Sequence, residues 1–192
     1  MLGRNQYVID MSREDVRNNI WEQMYKVLSQ NNIEYLKWDF NRNISDAGSA
    51  LLPPARKREF FHRFILGTYD LMNRLVTTFP NILFENCSGG GGRFDPAMLC
   101  YSPQIWASDN TDPIDRLYIQ FGTSMSYPAS VVGAHVSASS RTGYETKCNV
   151  ARWGTFGLEL DPTKLTDNEA DYIRKQIKKY HKNYELGDRG VV

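Results

Sequence analysis

Segments with the residue pattern of a β-strand alternate with helical segments along the whole chain, and this alternation constrains the fold more than any other feature. Six segments carry the strand pattern: 6–11, 33–39, 82–87, 104–108, 133–138 and 155–161. Amphipathic segments lie at about 13–30 and 56–79, a further helix begins near residue 112, and the last helix extends through about residue 184. Strands that alternate with helices predict a parallel α/β sheet. The two candidate folds are a doubly wound sheet and a (β/α)8 barrel.

Composition narrows the class of protein. With 192 residues, 41% of them hydrophobic, the chain is long enough for one domain with a substantial core. A net charge of +1 gives no reason to expect nucleic acid or an acidic membrane surface as a partner, and no apolar run approaches the ~18 residues of a membrane helix. The three cysteines have neither CxxC nor Cys/His ligand spacing, which predicts no zinc site and no disulfide framework. We therefore expect a protein of a reducing compartment, the cytoplasm.

Both candidate folds place their chemistry at the C-terminal ends of the strands, and the second strand ends in Lys37-Trp38-Asp39. Side chains alternate along a strand, so Lys37 and Asp39 are expected on the same face. A lysine beside the aspartate would keep the carboxylate ionised, which suits a nucleophile. A purely structural salt bridge explains the pair equally well from position alone.

The fourth strand leads into "WASDNTDP", which contains two aspartates with different predicted roles. Asp112 precedes Pro113, and proline is favoured at the first position of a helix, so Asp112 is predicted to cap a helix. Asp109 has no such structural explanation and is the better candidate for proton transfer. In a barrel, Asp39 and Asp109 come from alternate strands. That placement permits the separation of about 5–5.5 Å between carboxyl groups that a retaining glycosidase requires.

The third strand ends in "ENCSGGGGRFD", a glycine run without the spacing of a phosphate-binding loop. The glycines predict instead a close approach of backbone to a compact ligand. Glu85 shares a strand face with Cys87 and is a rival carboxylate, but it lies deeper in the strand than Asp39 and Asp109 and ranks below them. His135 is predicted to be a hydrogen-bonded structural histidine near a strand.

Three segments, "YLKWDFNR", "ENCSGGGGRFDPAMLCYSPQIWASDNTD" and "QFGTSMSYPASVVGAHVSASS", closely resemble the bacterial α-galactosidases (melibiases) of glycoside hydrolase family 36. The similarity extends over essentially the whole chain. It implies Asp39 as the nucleophile and Asp109 as the general acid/base. Residues that match the family's galactose-binding positions are Arg4, Lys37, Cys87 and Gly89.

The implied reaction is hydrolysis of terminal α-galactosides of the melibiose and raffinose type, with retention, through a β-galactosyl ester of Asp39. The resemblance implies no metal and no organic cofactor, an oligosaccharide as the partner, and a bacterial cytoplasmic location; a homo-oligomer is a possible assembly. Two alternatives stay open at this point. One is transglycosylation, as in raffinose synthases, and the other is a non-catalytic galactoside-binding fragment.

Members of this family are much longer than the chain. They combine an N-terminal β domain, a (β/α)8 catalytic barrel and a C-terminal β domain. The resemblance therefore implies that residues 1–192 form part of one catalytic barrel, strands three to eight with their helices, with segment 6–11 as strand three. The first two strands, which carry paired aspartates for the galactose 4- and 6-hydroxyls, would then lie outside this sequence. We expect the chain alone to be poorly active.

Overall fold

The computed structural model describes residues 5–41, 44 and 47–188, and within them five parallel strands form one sheet. The strands are β1 Tyr35–Asp39, β2 Leu83–Cys87, β3 Gln104–Trp106, β4 Val132–Ser137 and β5 Thr155–Glu159. Their spatial order, β1-β2-β3-β4-β5, is also their order in the sequence. A doubly wound sheet reverses its strand order at a switch point, whereas a barrel wall keeps it. The observed order is therefore that of a (β/α)8 wall.

Helices connect the strands and cover one face of the sheet. They are α1 Glu14–Gln30, α2 Phe60–Thr78, α3 Pro96–Leu99, α4 Pro113–Ser124, α5 Tyr144–Ala151 and α6 Asp167–Asp188. Helix α2 forms because its apolar residues recur every three or four positions, and Phe60, Phe64, Leu71 and Leu75 are buried along one side. They belong to the same buried cluster as Phe84 of β2 and Ile105 of β3. None of the helices in the described part of the chain is long and apolar enough to cross a membrane.

The prediction of a strand at residues 6–11 is wrong. Apart from an isolated bridge at Gln6, the segment has no regular structure, and Tyr7 and Ile9 are 81% and 57% exposed. Local hydrogen bonds replace a strand ladder: the Asp10 carboxylate accepts from the backbone N–H and the hydroxyl of Ser12. Asp side chains that bond to nearby backbone in this way compete with sheet pairing. The described sheet therefore begins at β1.

The remaining predicted strands are confirmed, although β1, β3 and β5 are each two residues shorter than expected. Their alternation divides the sheet into two faces. Phe84, Ile105 and Val136 are buried among apolar side chains on the helix side. The opposite face carries polar and aromatic side chains, and this is the face that a barrel encloses.

Candidate active site

Strand register places the predicted site residues side by side on the inner face of the sheet. Lys37 of β1 is the direct partner of Glu85 of β2, and Asp39 is the partner of Cys87 one layer nearer the C-terminal ends. Glu85 is in turn the partner of Gln104 on β3. The inner face therefore has a lower layer that contains an ion pair and an upper layer that contains Asp39.

Asp39 is exposed at the end of β1, where Asn41 holds its carboxylate. The Asn41 side-chain N–H donates to Asp39 Oδ2 at 2.7 Å, and Asn41 Oδ1 accepts from the backbone N–H of Gly89, also at 2.7 Å. Burial and the nearby charge of Asp39 raise the pKa of the Cys87 thiol, so this neighbour is neutral. Sequence reasoning gave Asn41 no role, although its place two residues after a carboxylate at a strand end was a usable signal.

Lys37 does not form the predicted pair with Asp39. Its ammonium lies 3.1 Å from Glu85 Oε1, and 4.4 Å from the centroid of the Trp106 ring. The reason is geometric: neighbouring strands are about 4.8 Å apart, whereas residues two apart along one strand are separated by about 6.6 Å. The register therefore favours Glu85 as the partner of Lys37.

Glu85 lies at the floor of the inner face and not at its mouth. Only 1% of its surface is exposed, and its Oε2 accepts a hydrogen bond from Gln104 Nε2 at 3.0 Å. Burial raises the pKa of this carboxyl to about 7. The position agrees with its ranking below the two aspartates as a catalytic candidate.

Asp109 is exposed in the loop between β3 and α4. The buried Arg116 supports this loop from below, since its guanidinium donates to the carbonyl oxygens of Ser108 at 3.1 Å and Gly133 at 3.2 Å. Arg116 also stacks on the Trp106 ring, 4.3 Å from its centroid. The backbone around Asp109 is thus held by a residue that sequence reasoning missed.

Asp112 caps α4, as predicted. Its carboxylate accepts from the backbone N–H groups of Ile114 and Asp115 at 3.0 and 3.4 Å. The same carboxylate accepts from the Ser139 hydroxyl at 2.7 Å and pairs with Arg141 at 2.9 Å. These four partners give Asp112 a structural role, whereas the Asp109 carboxylate has no hydrogen bond or ion pair with any residue that the structure describes.

The glycine run after β2 contacts the polypeptide that carries Asp109. A Cβ added at Gly90, where φ is +86°, would lie 2.9 Å from the backbone nitrogen of Asp109, and one at Gly91 would lie 2.4 Å from the Ala107 carbonyl oxygen. The close backbone approach that was predicted toward a ligand is therefore, at these two glycines, an approach to the neighbouring loop. Gly89, with φ +53°, instead faces Asn41.

Arg93, at the end of the glycine run, ties the turn to β1. It donates to the Phe40 carbonyl oxygen at 2.9 Å and to the Ser88 hydroxyl, and its guanidinium stacks 3.6 Å above the Phe40 ring. Burial lowers the pKa of Arg93 to about 10. This contact was also missed from sequence.

Four of the six predicted site residues lie together at the ends of β1 and β2, namely Lys37, Asp39, Cys87 and Gly89. Asp109 adjoins them through Gly90. The sixth, Arg4, lies outside the described residues.

The Melibiase family profile matches residues 1–190. This chain belongs to the melibiase family. It is 51% identical over 99% of its length to α-galactosidase Mel36A of Lactobacillus acidophilus, and 52% identical over 93% to AgaA of Geobacillus stearothermophilus. It covers 27% and 25% of these relatives, so the chain spans about a quarter of their length.

Solved structures agree with the fold. The glycoside hydrolase family 36 α-galactosidase AgaB of Geobacillus stearothermophilus superposes with a TM-score of 0.94 at 51% identity, over 96% of this chain and 26% of that one. The α-galactosidase of Lactobacillus brevis gives a TM-score of 0.94 at 43% identity, over 97% and 26%. An AgaA variant was crystallised with raffinose and another with stachyose. The prediction of a partial (β/α)8 barrel from family 36 is confirmed.

Proposed function

We propose that this chain forms part of the catalytic barrel of a retaining α-galactosidase that hydrolyses terminal α-D-galactosides by double displacement. One observation carries the proposal: the glycine turn after β2 contacts both segments that bear the candidate catalytic carboxylates. Asn41 links the turn to Asp39, and Gly90 packs on the backbone of Asp109. These contacts support a turn that sets the relative position of the proposed nucleophile and the proposed acid/base.

In this mechanism Asp39 attacks the anomeric carbon while Asp109 protonates the glycosidic oxygen. The bond to the leaving sugar breaks and a β-galactosyl ester of Asp39 forms. Asp109, now a carboxylate, takes a proton from water as that water attacks the same carbon, which releases α-galactose and restores both groups. The hydrogen bond from Asn41 fixes the attacking carboxylate, and the neutral thiol of Cys87 adds no competing negative charge.

Lys37, Cys87 and Gly89 are proposed to bind the galactose, together with Arg4. An ammonium carries three N–H donors, and among the described residues Lys37 contacts only Glu85 and the Trp106 ring. The ammonium therefore keeps at least one N–H donor for a sugar hydroxyl. The raffinose and stachyose complexes of family relatives support an α-galactoside of this class as the substrate.

We propose that the barrel is completed by polypeptide outside residues 1–192 and that the chain alone is poorly active. Within the described residues, β1 and β5 each pair along one edge only. Open parallel edges are prone to association, and a sugar pocket needs walls on every side.

The test is a chimera in which residues 1–192 replace the matching segment of the Lactobacillus acidophilus relative. We expect hydrolysis of raffinose, with α-galactose as the first product seen by NMR, and loss of hydrolysis in Asp39→Asn. Initial release of β-galactose would contradict a retaining mechanism. Turnover by the chain alone at the chimera's rate would contradict the need for the remaining barrel.

A further inference from the structure

The mechanism leaves one buried acidic side chain without a task, Glu85 on the floor of the inner face. Its two carboxylate oxygens each have one polar neighbour, Lys37 at 3.1 Å and Gln104 at 3.0 Å. The carboxyl is almost fully enclosed, with 1% of its surface exposed, while the Lys37 side chain keeps 35%. The ion pair therefore joins the buried carboxylate of Glu85 to the partly exposed ammonium of Lys37.

Lys37 would otherwise be a mobile side chain, because a lysine has four rotatable bonds and loses about 2 kcal/mol of rotamer entropy when it is fixed. Two contacts restrain its ammonium here: the Glu85 carboxylate and the face of Trp106, 4.4 Å away. Trp106 is itself fixed, with Arg116 against its ring at 4.3 Å and the His135 ring at 4.3 Å between centroids. The only charged anchor within salt-bridge distance of Lys37 in the described chain is Glu85.

Both neighbours of the Glu85 carboxyl carry N–H donors, so both of its oxygens must act as acceptors. Glu85 faces two groups with positive polarity: its Oε1 lies within salt-bridge distance of the Lys37 ammonium, and its Oε2 accepts a hydrogen bond from the Gln104 amide. A neutral amide of the same shape has one acceptor and one donor group. A glutamine at the position would turn an N–H toward Lys37 or toward Gln104, and one of the two contacts would be lost.

We propose that Glu85 is a positioning residue that holds the Lys37 ammonium in the orientation required for substrate binding, without itself contacting substrate. The assignment of Lys37 to substrate binding rests on the proposed function. The fixing of Lys37 by Glu85 rests on the geometry alone, and the two parts are tested separately.

The first experiment uses the full chain and needs no activity. Lysines are acetylated with an N-hydroxysuccinimide ester, and the rate at each site is measured by peptide mass spectrometry. In Glu85→Gln we expect acetylation of Lys37 to accelerate several-fold, while the buried Lys147 reacts at an unchanged rate. Gln104→Ala is the matched control, since it removes the other neighbour of the carboxylate and leaves the ion pair in place. An unchanged Lys37 rate in Glu85→Gln would overturn the proposal.

A second variant, Glu85→Asp, is used if Glu85→Gln destabilises the whole fold. In that case Glu85→Gln accelerates the acetylation of every lysine alike. Glu85→Asp keeps the negative charge but shortens the side chain by one methylene. Selective acceleration at Lys37 in Glu85→Asp then supports the proposal, and acceleration of all lysines or of none contradicts it.

The second experiment measures kinetics in the chimera. Loss of ground-state binding raises KM and leaves kcat nearly unchanged, so Glu85→Gln is expected to raise KM for raffinose by up to about 100-fold, if the Lys37 ammonium moves by about 1 Å. Glu85→Asp should recover part of the loss, and Gln104→Ala should change KM by less than about threefold. A fall in kcat with KM unchanged would contradict a positioning role. An inactive unaltered chimera would instead refute the proposed function, and the acetylation result would still decide whether Glu85 fixes Lys37.

Discussion

Replacement of Gly90 by alanine tests whether the glycine turn positions the acid/base. The added Cβ would lie 2.9 Å from the backbone nitrogen of Asp109 and 2.9 Å from the Ser108 Cα, and ordinary contact begins at 3.4 Å. The loop that carries Asp109 must therefore retreat by about half an ångström, because backbone atoms, unlike the end of a flexible side chain, have no other rotamer to adopt.

Two effects follow from this geometry. Gly90 has φ +86°, and a non-glycine residue in the left-handed region costs on the order of 1–3 kcal/mol. A displacement of 1 Å in a catalytic group can cost about 100-fold in rate, so half that displacement predicts a fall of about 10-fold in kcat/KM.

The assay compares two substrates in the chimera. Raffinose has a sugar leaving group that needs protonation, whereas p-nitrophenol is a good leaving group and needs little acid assistance. If Gly90→Ala displaces Asp109, kcat/KM should fall about 10-fold for raffinose and much less for p-nitrophenyl α-galactoside.

Gly122→Ala is the control, since a Cβ at this position of α4 has no neighbour within 4 Å. This replacement should leave both activities unchanged and stabilise the helix by about 0.5–1 kcal/mol. Equal losses for both substrates in Gly90→Ala, or full activity on raffinose, would refute the role assigned to the glycine turn.

Three further predictions concern the supports of the site. Arg116→Met removes a buried guanidinium and leaves two backbone carbonyls without their donors. Urea denaturation of the chain should show that the free energy of unfolding falls by about 2–4 kcal/mol. A fall below about 0.5 kcal/mol would contradict the support of the Asp109 loop by Arg116. Asn41→Ala removes the hydrogen bond to Asp39 and the acceptor for the Gly89 N–H. Single-turnover formation of the galactosyl-enzyme in the chimera should therefore slow by about 10-fold. An unchanged rate would exclude a role for Asn41 in orienting the nucleophile. Because burial raises the pKa of Glu85 from 4.5 to about 7, folded Glu85 binds more protons than unfolded Glu85 between these values. The free energy of unfolding of the wild type relative to Glu85→Gln should therefore fall by up to about 3 kcal/mol as pH rises through this window. Urea denaturation of both proteins at the two ends of the window measures this difference and cancels other groups such as His135, whose pKa burial lowers; a difference that does not change with pH would contradict the prediction.

The alternation of strand-like and helical segments was sufficient to predict the parallel sheet and four of the six α-helices in the described residues, α1, α2, α4 and α6. Capping chemistry was equally informative, because proline is favoured at the first position of a helix; the predicted cap at Asp112 is confirmed. These features depend on residues close together in the chain, which a sequence displays directly.

Contacts between strands were harder to predict. A period of two assigns Lys37 to a face, but its partner is set by register, which depends on how two distant segments align. The observed register places Glu85 opposite Lys37, and the predicted pair with Asp39 is not formed. The contact of Gly90 with the Asp109 loop has the same origin, since it joins two segments that are adjacent only in the folded sheet.

The wrong prediction of a strand at 6–11 shows that local residue patterns can also mislead. Its run of Tyr7, Val8 and Ile9 has the composition of a strand, but Asp10 accepts local hydrogen bonds from Ser12 that compete with strand pairing. The sequence pattern alone does not indicate which of these two hydrogen-bonding schemes is formed.

The most direct test of Asp39 as the nucleophile is chemical rescue of a variant that lacks its carboxylate. In the chimera, Asp39→Gly removes the carboxylate and leaves space on the face of the sugar opposite the leaving group. With azide and an activated α-galactoside, we expect recovered turnover with β-galactosyl azide as the product, because azide attacks from the side that Asp39 occupied. Formation of the α-azide, or rescue in Asp109→Gly with inversion instead, would contradict Asp39 as the nucleophile.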